Sequence, residues 1–247
     1  MKIRLYKLLV ERKLAPTRQK AQALIGAGQV LVNNKLADKA GTSVEDSCTI
    51  EVKESCPYVS RGGYKLKAGL DFFDIKPIGF ICLDVGASTG GFTDCLLQHG
   101  ALKVYSIDVG YGQLAWELRQ DPRVVVMERT NARYLAMTDF AEPINFAVID
   151  ASFISLKLLI QPLLPLFQTN ISILALIKPQ FEVGRGKVGK GGVVRDSAQH
   201  QEVIDEIIDF SAKLGLKSCG VIPSPILGPK GNKEFLIHLI ANSAEKE

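Results

Sequence analysis

Residues 83–92 read Leu83-Asp84-Val85-Gly86-Ala87-Ser88-Thr89-Gly90-Gly91-Phe92, an apolar run that ends in a glycine-rich turn. The apolar part predicts a buried strand at residues 81–85, and the turn predicts the start of a helix. Glycine lets the backbone pass close to a ligand, and open α/β sheets bind nucleotides at the carboxyl ends of their strands. We therefore expect a cofactor to bind here, through Asp84, Gly86, Ala87, Ser88, Thr89, Gly90, Gly91 and Phe92.

The turn differs from the dinucleotide-binding fingerprint, because Ser88 stands where that fingerprint has its middle glycine. This difference argues against a cofactor that contains a pyrophosphate. Asp108, at the end of the next predicted strand, is expected to accept hydrogen bonds from ribose hydroxyls. Asn131, just after the third strand, either binds the edge of an adenine or satisfies its own turn. These residues together favour an adenosine-type cofactor.

Apolar strands alternate with helical stretches in the larger part of the chain. Strands are predicted at residues 81–85, 104–108, 124–127, 146–150 and 171–177, followed by a helix at 198–214 and strands near 218–222 and 234–240. Because the apolarity is continuous rather than alternating, the strands should be covered on both faces, as in a doubly wound parallel sheet. The predicted fold class is α/β with a Rossmann-like sheet.

The first 53 residues carry all of the excess positive charge. They contain ten Lys and Arg against five Asp and Glu, whereas the remainder contains twenty against twenty-one. Their pattern predicts two helices, at residues 2–13 and from residue 17, and strands at 30–32, 35–37 and 49–52 around a tight turn at Asn33-Asn34. We expect a small α+β domain at 1–54 that binds phosphates, a linker at 55–59, and a larger domain at 60–247 that begins with a helix from Arg61.

The composition argues against several other classes of protein. Hydrophobic residues make up 47% of the chain and charged residues 23%, which is typical of a globular protein with a real core, and no apolar stretch approaches the ~20 residues that cross a bilayer. The five cysteines are scattered and the three histidines are not spaced as metal ligands. We expect no disulfide, no metal, no membrane partner and a cytoplasmic location.

Asp150 and Lys178 end two successive predicted strands. Because the carboxyl ends of parallel strands meet at one edge of a sheet, both side chains should emerge beside the glycine turn. Apolar flanks make each charge costly unless it is paired. A catalytic pair and a purely structural salt bridge both remain open.

The first domain resembles the S4 RNA-binding family through Arg4-Leu5, Thr17-Arg18-Gln19-Lys20-Ala21 and Gly28-Gln29-Val30-Leu31-Val32-Asn33. In that family the second helix and the following hairpin face structured RNA. The resemblance implies RNA contacts for Arg4, Arg18, Lys20 and Lys35. The alternative is that these are solvated surface charges.

The larger domain resembles the FtsJ-type RNA 2′-O-methyltransferases, and the whole chain is similar to the TlyA family, once called haemolysins. The motifs are the glycine turn, Arg61-Gly62-Gly63-Tyr64-Lys65-Leu66, Asp150, Lys178 and Gly231-Asn232-Lys233-Glu234-Phe235. The resemblance implies a catalytic tetrad of Lys65, Asp150, Lys178 and Glu234, S-adenosylmethionine (SAM) as cofactor with Asp150 also beside it, and cytidine 2′-O-methylation of ribosomal RNA. Lys67 lies on the same helix as Lys65, and Lys65 is preferred for its place in the motif.

Methylation of a ribose hydroxyl requires that the hydroxyl is oriented and that its proton or developing charge is managed. A neutral Lys178 would accept the proton, and a charged Lys178 would stabilise the alkoxide; the sequence does not decide between them. The basic loop at residues 181–195 follows directly. We expect RNA phosphates to be contacted by Arg61 and by three residues of this loop, Arg185, Lys187 and Lys190. The alternative is that the loop is merely a mobile surface segment.

Three other functions compete with this hypothesis. One is a non-catalytic RNA-binding ribosome-assembly factor that uses the methyltransferase fold as a scaffold. Another is a membrane-active haemolysin, which the lack of a predicted span disfavours. A small-molecule methyltransferase ranks last because it leaves the basic first domain unexplained.

Overall fold

The computed structural model describes residues 2–26, 29–37, 39, 41–52, 56–184, 188–189 and 191–241. The chain divides into two compact units, Met1–Pro57 and Tyr58–Glu247. This division falls inside the segment 55–59 that the sequence suggests as a linker. Each unit has a hydrophobic core of its own.

The first unit contains short helices and short strands in the order β1 (Lys2–Arg4), α1 (Leu5–Glu11), α2 (Arg18–Gly26), β2 (Val30–Val32), β3 (Lys35–Ala37), β4 (Ser43–Glu45) and β5 (Ile50–Val52). Strand β2 lies between β3 and β5, and β1 pairs with β4. The two helices bury Leu5, Leu8, Leu9, Ala21 and Ile25 against this framework. The predicted α+β character is confirmed.

Two local predictions in this unit have different outcomes. The turn between β2 and β3 is as predicted, since Asn33 and Asn34 adopt positive φ values of 48° and 63°. The prediction of a helix from residue 2 is wrong at its start. Residues 2–4 form β1 instead, because they pair antiparallel with Ser43–Glu45, a strand whose one apolar residue gives no sequence signal.

The second unit is an α/β sandwich with one seven-stranded sheet. Its elements are α3 (Gly62–Phe72), β6 (Ile81–Val85), α4 (Gly91–Gln98), β7 (Lys103–Ile107), α5 (Trp116–Gln120), β8 (Val124–Met127), β9 (Phe146–Ile149), α6 (Lys157–Leu163), β10 (Ile171–Ile177), α7 (Pro179–Glu182), α8 (Ser197–Lys213), β11 (Lys217–Pro223) and β12 (Phe235–Ala241). Short 3-10 helices lie at Ala132–Tyr134, Met137–Asp139, Leu164–Leu166 and Pro229–Gly231.

The order of strands in this sheet is β11-β12-β10-β9-β6-β7-β8. The five strands from β6 to β10 run parallel, and β12 runs antiparallel between β10 and β11. Every residue of β9 is buried, as expected for a strand covered on both faces. Strand β6 lies where the chain order reverses, so a crevice opens at its carboxyl end.

The basic loop predicted at residues 181–195 begins later than expected, because Phe181 and Glu182 belong to helix α7. Glu182 stabilises this short helix against the neighbouring segment. Its carboxylate accepts hydrogen bonds from Ser155 Oγ at 2.6 Å and from the Leu156 N–H at 2.8 Å.

Candidate active site

The turn after β6 requires glycine at its first position. Gly86 has φ of +87°, and a Cβ there would lie 2.9 Å from the carbonyl oxygen of Asp150 and from Ala151 Cα. At Gly91 a Cβ would collide with Ser60 Oγ, so helix α4 can approach the start of α3 only without a side chain there. The turn therefore brings the ends of β6 and β9 and the start of α3 together.

A cavity of about 600 Å³ lies beyond the ends of β6, β7 and β9. Asp108 lines it and accepts hydrogen bonds from the Ser88 N–H at 2.8 Å and the Gly110 N–H at 2.7 Å. Asn131 also lines it, while its Oδ1 accepts from the Arg133 N–H at 3.1 Å. Asn131 thus satisfies its own turn and still faces the cavity.

Asp84 lies under the turn rather than in the cavity. Its side chain is fully buried, and Oδ2 accepts a hydrogen bond from Thr93 Oγ1 at 2.7 Å. Burial raises the pKa of this carboxyl to about 7, and the charges of Asp150 and Asp108 act in the same direction. The expectation of a direct cofactor contact through Asp84 therefore does not agree with its position, which is that of a support for the turn.

A second cavity, of about 440 Å³, lies on the other side of the glycine turn. Helix α3, the end of β10 and the segment before β12 form its walls. The predicted cofactor residues Ala87, Thr89, Gly91 and Phe92 line this second cavity and not the first, and Gly90 lines neither. The two cavities share a boundary formed by Gly86, Ser88, Asp150 and Ser152.

Two lysines and two carboxylates form one cluster, in which Asp150 lies on this boundary and Lys65 and Lys178 line the second cavity. Lys178 Nζ lies 2.5 Å from Asp150 Oδ1, and Lys65 Nζ lies 2.6 Å from Glu234 Oε2. Lys65 Nζ is also 3.9 Å from Asp150 Oδ2, which joins the two pairs. The Glu234 side chain is fully buried and the two lysine side chains are nearly so. Such a cluster holds its cations in fixed positions at the edge of a solvent-accessible space.

Four elements bring the cluster together, the strands β9, β10 and β12 and the helix α3. Asp150 and Lys178 follow the parallel neighbours β9 and β10, and Glu234 precedes β12, whose first residue pairs with the last residue of β10. Lys65 is placed by helix α3. A Cβ at Gly69, one turn after Lys65, would lie 2.7 Å from Leu174 Cδ2, so this glycine allows α3 to pack closely on β10.

Lys67, the alternative on the same helix, points away from the cluster. Its ammonium pairs with Asp71 on the helix surface, and its side chain is 44% exposed. The preference for Lys65 agrees with the structure.

The predicted RNA contacts lie in different places. Arg61 lines the second cavity. In the first unit Lys20 and Lys35 are exposed, Arg18 stacks over the Tyr6 ring at 4.8 Å, and Arg4 donates to the carbonyl of Gly41. Arg185, Lys187 and Lys190 lie outside the described residues.

Three residues of this region escaped the sequence-based prediction. Ser152 Oγ accepts a hydrogen bond from Lys178 Nζ at 3.0 Å. Phe153, with positive φ and 90% exposed, lies at the rim of the first cavity against Phe181. Gly228 packs on the Glu234 carboxylate, where a Cβ would collide with Oε1. The sequence offered one signal for Ser152 and Phe153, which is that they lie two and three positions after Asp150.

The fold and the site define a class of protein. The sheet is parallel except for β12, which lies antiparallel between β10 and β11, and its central strand ends in a glycine turn. This is the architecture of the SAM-dependent methyltransferases. The FtsJ-like methyltransferase family matches residues 58–241 and the S4 domain matches residues 3–47. The chain belongs to the FtsJ-like methyltransferase family, in its TlyA group with an S4 domain in front.

Similar proteins cover nearly the whole chain. "Putative rRNA methyltransferase YqxC" of Bacillus subtilis is 51% identical over 96% of this chain and 85% of that protein. "16S/23S rRNA (cytidine-2′-O)-methyltransferase TlyA" of Mycobacterium tuberculosis is 46% identical over 94% of this chain and 87% of that protein. A solved structure named "Putative hemolysin" from Streptococcus thermophilus is 43% identical, with a TM-score of 0.77 over 98% of this chain and 89% of that one.

Within the described part of the chain, no helix combines the length and apolarity needed to cross a membrane.

Proposed function

We propose that this protein transfers a methyl group from SAM to the ribose 2′-oxygen of a cytidine in ribosomal RNA. The observation that carries the proposal is the cluster of Lys65, Asp150, Lys178 and Glu234, in which Asp150 lies on the boundary between the two cavities and both lysines line the second. One cavity has the features of a cofactor site, and the other is open to a larger substrate. The boundary is where a methyl group would pass from one to the other.

The residues around the first cavity fit SAM. Its volume is within the ~300–1,000 Å³ that ligand pockets usually have. Gly86 lines the cavity without a side chain, and this glycine allows the turn to lie against the backbone of Asp150 and Ala151. Asp108 uses one lone pair of each oxygen on backbone N–H groups, and the remaining lone pairs can accept from a ribose diol. SAM would supply an activated methyl group on a sulfonium.

The cluster residues would orient and activate the ribose hydroxyl. Asp150 holds Lys178 at the boundary, and Glu234 holds Lys65 beside it. Two cations in a poorly hydrated place stabilise negative charge on the attacking oxygen far more than they would in water. The proton of the hydroxyl leaves to Lys178 if this residue is neutral, or to solvent if Lys178 acts as a charge.

The substrate is inferred from two further sources. The S4 unit presents exposed Arg18, Lys20 and Lys35, which suit phosphate contacts. The relative from M. tuberculosis is named for cytidine 2′-O-methylation of 16S and 23S rRNA. An rRNA substrate also supports a cytoplasmic location.

The competing functions are less well supported. A non-catalytic assembly factor would have no need for three buried charges clustered with Asp150 beside a cavity, since burying charge costs free energy. The absence of a spanning helix among the described residues gives a membrane-active haemolysin no support. A small-molecule methyltransferase would leave the S4 unit without a role.

The proposal is tested by transfer of a radiolabelled methyl group from SAM to unmodified ribosomal subunits and to free rRNA. We expect label in RNA that survives alkaline hydrolysis as a 2′-O-methyl dinucleotide, because a methylated 2′-oxygen cannot attack the adjacent phosphate. Lys178→Ala should reduce kcat by at least about 100-fold while SAM still binds, since general-base and electrostatic contributions have this size. The matched control is Lys67→Ala, whose ammonium lies on the helix surface.

If alkaline hydrolysis releases the label in single nucleotides, the methyl group is not on the ribose 2′-oxygen, and ribose methylation is contradicted. SAM binding without transfer to any RNA would favour the scaffold function. Equal activity of Lys178→Ala and wild type would mean that the cluster is structural.

A further inference from the structure

Ser152 lies exposed between the two cavities, and its hydroxyl contacts Lys178. Four residues line both cavities, and they are Gly86, Ser88, Asp150 and Ser152. Gly86 has no side chain, Asp150 is engaged with both lysines, and Ser88 Oγ bonds to Gln113 Oε1 at 3.3 Å. Ser152 is exposed, and its hydroxyl contacts Lys178 at the boundary.

The hydrogen bonds of Lys178 indicate where a ribose hydroxyl must enter. A lysine ammonium has three N–H donors. Lys178 Nζ has three acceptors within reach, which are Asp150 Oδ1 at 2.5 Å, Ser152 Oγ at 3.0 Å and the carbonyl oxygen of Asp150 at 3.3 Å. Because all three donors have a partner, a substrate oxygen can bind Lys178 only if one partner is replaced.

Ser152 is the partner that is easiest to exchange. The bond to Asp150 Oδ1 is an ion pair with low solvent exposure, and the Asp150 carbonyl belongs to the backbone. The Ser152 hydroxyl is neutral, exposed and free to rotate about χ1. Its oxygen accepts from Lys178, so its own O–H remains available to donate to a group in the cavities that Ser152 lines.

The loop that carries Ser152 is held in place by residues that follow β10, the strand that ends just before Lys178. Glu182, four residues after Lys178, accepts hydrogen bonds from Ser155 Oγ and from the Leu156 N–H. The loop is thus fixed on both sides of Phe153, by Lys178 at Ser152 and by Glu182 at Ser155. The backbone at Ser152 is therefore held in one place, and only rotation about χ1 changes the position of its hydroxyl.

We propose that Ser152 binds the acceptor ribose, exchanging its hydrogen bond with Lys178 for one with the ribose as the 2′-hydroxyl takes its place on the ammonium. This inference rests on the proposed function and adds a substrate-contacting residue to the four cluster residues. In the free protein Ser152 keeps Lys178 aimed at the boundary. In the complex its O–H donates to a ribose oxygen and fixes the sugar relative to the methyl group.

The test compares Ser152→Ala with Ser152→Thr, which keeps the hydroxyl. Steady-state kinetics on unmodified rRNA should give about a tenfold lower kcat for Ser152→Ala, as one lost hydrogen bond to a charged or reacting group is worth on the order of 1.4 kcal/mol. The Kd for SAM, the Kd for rRNA and the Tm should stay at wild-type values, because the side chain is exposed and makes one of many contacts. Ser152→Thr should recover most of the lost kcat.

Each other outcome overturns the inference. Wild-type kcat for Ser152→Ala means that the hydroxyl does not contact the reacting ribose. A lower Tm or weaker SAM binding in Ser152→Ala means a structural role, and failure of Ser152→Thr to recover kcat means that the hydroxyl is not the group that matters. A wild-type protein that methylates no RNA overturns the proposed function, and this inference with it, whereas an active wild type with an equally active Ser152→Ala overturns the inference alone.

Discussion

The ion pair between Lys65 and Glu234 determines how substitutions at these two residues combine. The Glu234 carboxylate is fully buried, and among the described side chains Lys65 neutralises it at 2.6 Å. Lys65→Met should lower the free energy of unfolding by about 3 kcal/mol, because it leaves a buried charge without its partner. Urea denaturation monitored by far-UV circular dichroism measures this change.

The double variant Lys65→Met/Glu234→Gln removes both charges and should recover most of the stability. Its methyl transfer should remain as low as that of Lys65→Met, because the cation is still missing. If Lys65→Met is as stable as wild type, the pair does not form in solution.

Asp84 makes the stability of the fold depend on pH. Burial raises its pKa to about 7 from the ordinary value of 3.8, so the folded state favours the protonated carboxyl. The stabilisation by proton binding is complete below the unfolded-state pKa and is lost as the pH rises toward 7, at ~1.4 kcal/mol per pKa unit. Wild type should therefore lose stability between about pH 4 and pH 7 through this residue.

Asp84→Asn should remove that part of the slope, since an amide does not titrate and still accepts the hydrogen bond from Thr93. Urea denaturation at pH 4.5, 6 and 7.5 compares the two proteins. Parallel pH profiles for wild type and Asp84→Asn would show that the carboxyl is already ionised in the folded state.

At the level of elements, the connection from β6 to α4 depends on the backbone of Gly86. Gly86→Ala adds a Cβ that would lie 2.9 Å from the carbonyl oxygen of Asp150 and also requires alanine at φ of +87°. We expect the turn to move away from β9 and the affinity for SAM to fall at least about tenfold, since the turn forms one wall of the cavity. Isothermal titration calorimetry measures the Kd.

Gly215→Ala is the matched control for this substitution. Gly215 has a similar φ of +78°, but no atom lies within 4 Å of the place that its Cβ would take, so only the conformational cost of about 1 kcal/mol applies. It should lower Tm slightly and leave SAM binding unchanged. Equal loss of SAM affinity in both variants would mean that general destabilisation, and not the turn, is responsible.

The strands of the sheet were predictable because each is a local apolar run. The predicted strands at 81–85, 124–127 and 171–177 agree with the structure, and those at 104–108 and 146–150 differ by one residue. Strands β1 and β4 were not predicted, since each has a single apolar residue between polar ones and no turn signal like Asn33-Asn34 beside it. Their pairing joins residues about forty positions apart, which no local pattern encodes.

At the level of the whole molecule, the charge of the first unit should control RNA affinity without affecting the cofactor. Neutralising Arg18, Lys20 and Lys35 to alanine should weaken rRNA binding and reduce the slope of log K against log salt by up to about 2–3, because each phosphate contact releases about one counterion. Filter binding at several salt concentrations measures both. SAM affinity should not change, since these residues belong to the other unit.

The control removes three exposed lysines from the larger unit, Lys76, Lys213 and Lys217. An equal reduction in both triple variants would mean that RNA responds to net charge alone. An unchanged slope in the first variant would contradict RNA binding by the S4 unit.

The sequence by itself determined the parallel strands of the larger unit, the glycine turn, the Asn33-Asn34 turn and the placement of Asp150 and Lys178 at strand ends. These features depend on neighbours within a few residues, where turn chemistry and hydrophobic periodicity act. The motif favoured Lys65 over Lys67, but only the tertiary structure determined that Lys65 meets Glu234, 169 positions away, that Asp84 is buried and that Ser152 contacts Lys178. These contacts depend on how closely α3 packs on β10 and on the insertion of β12 beside it, which are long-range packing effects.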